Sequence, residues 1–95
     1  MENCARPLPL IAACVLCAAC ASDSHRTTEL REAETSVSRA VEAGAARRAP
    51  QDLALAREKL VLAKRYMASG DDKVASWLAE QARVDAELAA LKAAP

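Results

Sequence analysis

The chain has 95 residues, of which 53% are hydrophobic, and its 13 basic side chains balance 13 acidic ones. A nucleic-acid-binding protein would show a basic surface, so this balance argues against nucleic acid as a partner. Only Trp77 and Tyr66 are aromatic, and a domain this small gains only about 3–5 kcal/mol from a single core. Contact with a partner, or with further copies of the chain, would therefore be a useful source of stability.

Residues 1–19 have the organisation of a secretory signal peptide. Arg6 and the amino terminus supply positive charge, residues 8–19 are apolar, and the small residues Ala18 and Ala19 follow. A membrane-spanning helix needs about 20 apolar residues, and this stretch is shorter and begins among prolines. We therefore predict a cleaved signal peptide and not a membrane span.

Cys20 closes the run Leu16-Cys17-Ala18-Ala19-Cys20, immediately before the sequence turns polar. This run resembles the lipobox of bacterial lipoproteins, in which cleavage occurs just before a cysteine that carries lipid. We predict that Cys20 is the lipidated first residue of the mature chain and that residues 20–26 form a tether. Cleavage after Ala21, which also follows small residues, would instead leave a soluble secreted protein that begins at Ser22.

All the cysteines lie in this N-terminal segment, at Cys4, Cys14, Cys17 and Cys20. The last three have the two-residue spacing of iron–sulfur ligands, but the residues between them are apolar and offer no polar cradle. Cysteine is better interpreted here as a small apolar residue of a signal peptide. We predict no cofactor beyond the covalent lipid on Cys20.

Residues 27–95 are predicted to form one all-α domain, an antiparallel three-helix hairpin or bundle preceded by the signal-peptide helix. No stretch alternates apolar and polar residues for long enough to indicate a strand. The first helix is predicted over residues 27–46, because apolar or small residues recur there at steps of three and four. These positions are Leu30, Ala33, Val37, Ala40, Val41 and Gly44.

The second helix is predicted to begin at Pro50, a residue suited to the first helical position, and to end at Gly70, which favours a left-handed C-terminal stop. Its predicted buried positions are Leu53, Ala56, Leu60, Ala63 and Met67. Asp71 is predicted to cap the third helix. The predicted apolar face of that helix is formed by Val74, Trp77, Leu78, Gln81, Val84, Leu88 and Leu91.

The sequence offers no catalytic constellation, and we predict that the protein is not an enzyme. His25 is the only histidine and lies in the tether, so the serines of the helices have no histidine partner. Asp71 and Asp72 could bind a cation, but capping is the favoured role because a hard cation needs about six oxygen ligands. The basic pairs Arg47-Arg48 and Lys64-Arg65 are more typical of solvated helix ends than of a lipid-binding cluster.

Two groups of side chains are candidates for partner contact or for a buried polar network. Trp77 and Tyr66 are bulky enough to form a partner-facing hot spot, although filling the core is the favoured role for Trp77. The polar residues nearest the predicted helix contacts could form a buried network that fixes helix register, or could line its rim. These residues are Lys59, Glu80, Gln81 and Asp85.

Several local runs of the mature chain together resemble a known family. The most specific is Leu78-Ala79-Glu80-Gln81-Ala82, followed by Asp85-Ala86-Glu87-Leu88-Ala89, and further matches lie at Ala49-Pro50, Lys59-Leu60 and Gly70-Asp71. They resemble small bacterial lipoproteins grouped as domain of unknown function 4398. The resemblance implies an envelope lipoprotein with a helical domain, and it implies no activity.

These observations predict a lipid-anchored periplasmic helical module of the bacterial cell envelope that binds or scaffolds other components. The aspartate that retains lipoproteins in the inner membrane is absent at Ala21, which favours the periplasmic face of the outer membrane. The expected partners are the membrane, through the lipid, and an unidentified envelope protein or cell-wall component. An alternative is a structural spacer that forms a helical oligomer, although Pro50 and Gly70 interrupt the heptad pattern of a continuous rod.

Overall fold

The described part of the chain is almost entirely α-helical. A computed structural model of the protein describes residues 28–95 and contains no strand in that range. Its helices are α1 over residues 28–42, α2 over Ala45–Arg48, α3 over Pro50–Ala68 and α4 over Asp72–Ala93. The predicted all-α class is confirmed for these residues, whereas the predicted signal-peptide helix and the tether lie outside them.

The first helix ends earlier than the sequence predicted. The end predicted at residue 46 is wrong, because α1 stops at residue 42 and Gly44 adopts a left-handed conformation with φ of 92°. The Gly44 N–H donates to the Val41 carbonyl at 3.0 Å, which is the kind of bond that closes a helix at a glycine. Gly44 therefore forms a turn instead of a position on the buried face, and the short helix α2 follows it.

Helix α3 matches its prediction closely. Pro50 stands at its first turn, where the missing N–H costs no helical hydrogen bond. The buried residues are four of the five predicted ones, and Met67 is half-buried. The confirmed buried positions are Leu53, Ala56, Leu60 and Ala63.

The turn between α3 and α4 is a complete Schellman motif. Gly70 has φ of 86°, the Asp71 N–H donates to the Tyr66 carbonyl at 2.9 Å, and the Gly70 N–H donates to the Met67 carbonyl at 3.2 Å. Asp71 Oδ1 then accepts the Val74 N–H at 3.4 Å, so Asp71 caps α4 as predicted. The chain reverses within three residues.

The buried face of α4 differs from the predicted one. Of the seven residues predicted to form it, only Leu78 is buried. Alanine has no side chain beyond Cβ, so an alanine-lined face lets two helix backbones approach closely, and this close approach excludes the larger side chains. The residues that are buried are Ala75, Leu78, Ala79, Ala82, Ala86, Ala89 and Ala93.

Two ion pairs show how the residues of α3 and α4 are aligned. Lys59 Nζ lies 2.6 Å from Asp85 Oδ2, and Lys92 Nζ lies 2.8 Å from Asp52 Oδ2. Seven residues separate the partners along each helix, in opposite directions, so α3 and α4 run antiparallel. Glu34 of α1 also reaches α3, with its Oε1 atom 2.9 Å from Lys64 Nζ.

All four helices contribute to one buried cluster that consists largely of alanine. Ala33 and Ala40 of α1, Ala45 of α2, Ala56 of α3 and Ala82 of α4 are each fully buried in it. Within residues 28–95, no helix combines the length and the apolar character needed to cross a membrane.

Candidate interaction surface

Most of the large apolar side chains of α4 point away from the alanine core. Trp77 is 61% exposed and Leu91 is 74% exposed, and Val84 and Leu88 lie between them at 47% and 43%. The role of Trp77 in filling the core, favoured by the sequence, is therefore wrong. We call the row Trp77, Gln81, Val84, Leu88 and Leu91 the outer stripe.

The outer stripe has the spacing of a helix-packing surface. Its members follow one another at steps of four, three, four and three residues along α4. This alternation keeps side chains on one side of a helix and is the repeat of coiled coils. At 100° per residue the stripe lies on the side of α4 roughly opposite Ala75, Ala82 and Ala89. The sequence contained this pattern, but the pattern alone does not say which face is buried.

Helix α3 adds two apolar side chains to the same side of the molecule. Leu55 and Tyr66 are 47% and 39% exposed, and both lie on the side of α3 that carries Lys59, because residues four and seven apart share a face. The register set by the ion pairs places Leu55 level with residue 89 of α4 and Tyr66 level with residue 78. Leu55 and Tyr66 thus extend the outer stripe sideways, and we call the combined surface the outer face.

Lys59 and Asp85 join the two helices within the outer face, between the outer stripe and the α3 residues Leu55 and Tyr66. Their side chains are 28% and 21% exposed, and the Asp85 Oδ2 atom itself is shielded from solvent. That oxygen has no partner with hydrogen-bond geometry within residues 28–95, yet it lies 2.6 Å from the Lys59 ammonium. The contact is therefore best described as an ion pair, and it compensates a carboxylate that is partly removed from water.

Glu80 belongs to a different group of charges. It accepts hydrogen bonds from Arg83, whose Nη1 also donates to Glu87 Oε1 at 2.8 Å. The hydrogen bonds from Arg83, together with its positive charge, hold the pKa of Glu80 below its ordinary value. The pKa of Arg83 is raised by the hydrogen bonds and charge of Glu80, with Glu87 adding to the effect.

The structure thus brings together only some of the polar candidates. Lys59 pairs with Asp85, Glu80 lies on the exposed side of α4 with Arg83, and Gln81 is half-buried within the outer stripe. A single network of all four residues does not form. The separation follows from the position of the buried face, which puts Asp85 beside α3 and Glu80 on the side away from it.

One residue of each basic pair contacts another helix of the domain. Arg48 Nη1 donates to the Ala93 carbonyl at 2.7 Å and so satisfies a carbonyl at the C-terminal end of α4. Lys64 pairs with Glu34. Both contacts link different helices, which the sequence did not indicate.

The remaining candidates concern metals and lipid. Among residues 28–95 no group of three or more histidine, cysteine, aspartate or glutamate side chains could hold a metal ion. Cys20, the predicted lipidation site, and His25 lie outside the described residues.

A comparison with protein-family models identifies the family of this chain. The model described as Domain of unknown function (DUF4398) matches residues 28–94, which is well over half of the chain. The chain belongs to this family, and the resemblance identified from its sequence is confirmed. No curated protein and no solved structure matches the chain.

Proposed function

We propose that this member of the DUF4398 family is a lipid-anchored helical module of the bacterial cell envelope that binds or scaffolds other components and catalyses no reaction. The observation that carries the binding role is the outer face. Monomeric proteins rarely expose contiguous apolar patches larger than a few hundred Å², and larger ones mark interaction sites. Here Trp77, Val84, Leu88 and Leu91 line one side of a single helix, and each is at least 43% exposed.

The arrangement that presents this face is, in our proposal, an antiparallel three-helix bundle preceded by a signal-peptide helix. In it α1 packs along the α3–α4 pair on the side away from the outer face. Ala33, Val37 and Ala40 of α1 support this, because they belong to the same buried cluster as the α3 and α4 residues. The Glu34–Lys64 ion pair ties α1 to α3.

We propose that Cys20 carries the lipid and attaches the domain to the periplasmic face of the outer membrane. The lipobox-like run before Cys20 supports lipidation, and Ala21 supports the outer membrane. Stable anchoring needs more than one acyl chain, because a single chain binds a membrane only marginally. A continuous helical spacer is less favoured, because Gly44 and Gly70 end helices within residues 28–95.

Replacement of Cys20 tests the anchor. We expect Cys20→Ser to abolish the acyl mass and to move the protein from the detergent phase to the aqueous phase in a partitioning experiment. Cys14→Ser is the matched control, because it removes a nearby thiol outside the lipobox-like run and leaves the proposed acceptor in place. Membrane association that is unchanged in Cys20→Ser, together with native protein that has no acyl mass, would rule out the lipid anchor. A mature chain that begins at Ser22 would point to the soluble alternative.

Chemical crosslinking in intact envelopes, followed by isolation of the tagged full-length chain, tests the binding role. We expect crosslinked products that Val84→Lys weakens and Val61→Lys leaves unchanged. The two valines have nearly equal exposure, 47% and 50%, and only Val84 lies in the outer stripe. The absence of any crosslinked product at native expression would contradict a binding or scaffolding role.

A further inference from the structure

We infer that the outer face is the interface between two copies of this chain, which pack α4 against α4 in antiparallel orientation. The inference rests on the proposed binding role of that face and names its occupant. It requires nothing of the lipid anchor. Its basis is the spacing, the size and the charge of the outer face.

The spacing of the outer-stripe residues favours a helix as the binding partner. Side chains at alternating steps of three and four residues form a row that fits between the side chains of a facing helix. The outer stripe continues this spacing over five positions, from Trp77 to Leu91, and Val74 extends it by a further step of three. A flat or irregular partner surface would not use that repeat.

The same stripe on a second copy supplies a helix of matching pattern. In an antiparallel pair the residue at one end of the first stripe faces the residue at the opposite end of the second stripe, and the remaining residues pair in the same reversed order. One such register sets Trp77 of each copy against Leu88 of the other, and Val74 of each against Leu91 of the other. Gln81 then faces Val84 at the centre, where its amide lies close to the two-fold axis. The indole ring of Trp77 therefore packs against a branched aliphatic side chain, and the two-fold axis repeats this contact once.

The size of the outer face suits a dimer. From Trp77 to Leu91 the stripe is about 21 Å long at 1.5 Å per residue, and two helices set 8–10 Å apart give a face roughly 20 Å wide. A standard stable interface buries about 800 Å² on each partner, which is the same order as this face with its rim. Leu55 and Tyr66 of α3 enlarge the apolar area beyond a single helix.

The charges beside the outer face favour an uncharged partner surface. Glu80 and Glu87 on one edge are both bound by Arg83, and Asp85, which lies between the outer stripe and α3, is paired with Lys59. Arg83 offsets one of the two carboxylates beside it and Lys59 offsets Asp85, so each copy brings a net charge of only −1 from these five side chains to the contact. A strongly basic or acidic partner would find little net charge to complement in this set.

Site-specific photo-crosslinking of the full-length chain in intact cells tests the inference. A photoreactive amino acid is placed at Val84 in the outer stripe, and at Val61 as the control of equal exposure on α3. We expect light to produce a species of twice the chain mass from position 84 only. Mass spectrometry should identify both components as this chain.

Co-isolation of two differently tagged full-length copies from detergent extracts provides the second measurement. We expect Val84→Lys in both copies to reduce co-isolation about tenfold or more, since it places a charge inside the contact. Val61→Lys should leave co-isolation unchanged. Circular dichroism of each variant must show unaltered helix content, so that loss of association is separated from loss of fold.

Each outcome decides between distinct possibilities. Crosslinking of position 84 to a different protein would overturn the second copy as occupant and would leave the proposed binding role standing. No crosslink from position 84, or equal self-crosslinking from positions 84 and 61, would overturn the interface. If the envelope crosslinking described above also yields no product, the binding role fails with it.

Discussion

At the scale of single residues, Lys59 and Asp85 form an ion pair across the boundary of α3 and α4. Exposed ion pairs contribute little, with a median near 0–1 kcal/mol, because water and mobile ions screen them. This pair differs because the Asp85 Oδ2 atom is shielded from solvent and depends on the Lys59 ammonium for compensation. Removing one partner leaves the other charge partly desolvated, whereas removing both leaves none.

A double-mutant cycle follows from that asymmetry. We expect Lys59→Met to lower the free energy of unfolding by roughly 1–2 kcal/mol, between the values for exposed and buried pairs. The double variant Lys59→Met/Asp85→Leu should recover most of that loss, because no uncompensated carboxylate remains. Urea titrations followed by circular dichroism measure both. Equal losses in the single and double variants would show that the ion pair does not compensate Asp85.

At the scale of the element, glycines decide where the helices end. Gly70 has φ of 86°, and a Cβ atom added there would meet no other atom within 4 Å. Any cost of a side chain at this position therefore comes from the backbone conformation and not from a clash. The left-handed conformation costs an L-residue roughly 1–2 kcal/mol.

We therefore expect Gly70→Ala to reduce the free energy of unfolding by about 1–2 kcal/mol. Gly70→Asn should cost less, because asparagine adopts the left-handed conformation more readily. Ser69→Ala, at the neighbouring residue with φ of −87°, is the control and removes only an exposed hydrogen bond to the Tyr66 carbonyl, so its effect should stay within about 0.5 kcal/mol. Chemical denaturation of the three variants provides the comparison. Equal stability of Gly70→Ala and the parent chain would mean that the turn relaxes to another conformation.

The sequence predicted those elements whose boundaries have a local chemical cause. Pro50, Gly70 and Asp71 each act through their own backbone or side chain, so the limits of α3 and the cap of α4 were predictable. Gly44 has the same chemistry, but it coincided with a buried-face position and was assigned to the helix. Local chemistry therefore identifies a helix end only when no competing periodicity runs through it.

The buried face of α4 could not be predicted in the same way. Two rows with helical spacing coexist on α4, one of alanines and one of larger apolar residues, and hydrophobicity alone favours the larger. Which row is buried depends on the distance between helix backbones, a property of the assembled domain. The outer stripe was therefore visible in the sequence as a pattern, whereas its exposure required the structure. Arg48 was missed for the same reason, because its acceptor lies 45 residues away.

At the scale of the whole molecule, the core is built from small side chains in close contact. Ala33, Ala56, Ala63, Ala82 and Ala86 are each 0% exposed. Protein interiors are packed at the density of organic crystals, so a row of alanines leaves no space for added methylene groups. Enlarging one of them forces the helices apart or the side chain out of its preferred rotamer.

We expect Ala82→Leu to destabilise the domain by about 1–3 kcal/mol through overpacking. Ala54→Leu is the matched control, because Ala54 is exposed on α3, and its effect should stay within about 0.5 kcal/mol. Thermal unfolding of both variants measures the difference. A stabilising effect of Ala82→Leu would reveal unfilled space beside the alanine row and would contradict close packing.

The alanine core also shapes how the domain responds to temperature. The heat capacity change of unfolding grows with the apolar surface newly exposed to water, and globular proteins average about 12–15 cal/mol/K per residue. Here the large side chains of the outer face are already partly hydrated in a single folded chain, and each buried alanine adds little area. We therefore expect a flatter curve of unfolding free energy against temperature for the lone domain. Covering the outer face with a second copy would then increase both the heat capacity change and the free energy of unfolding.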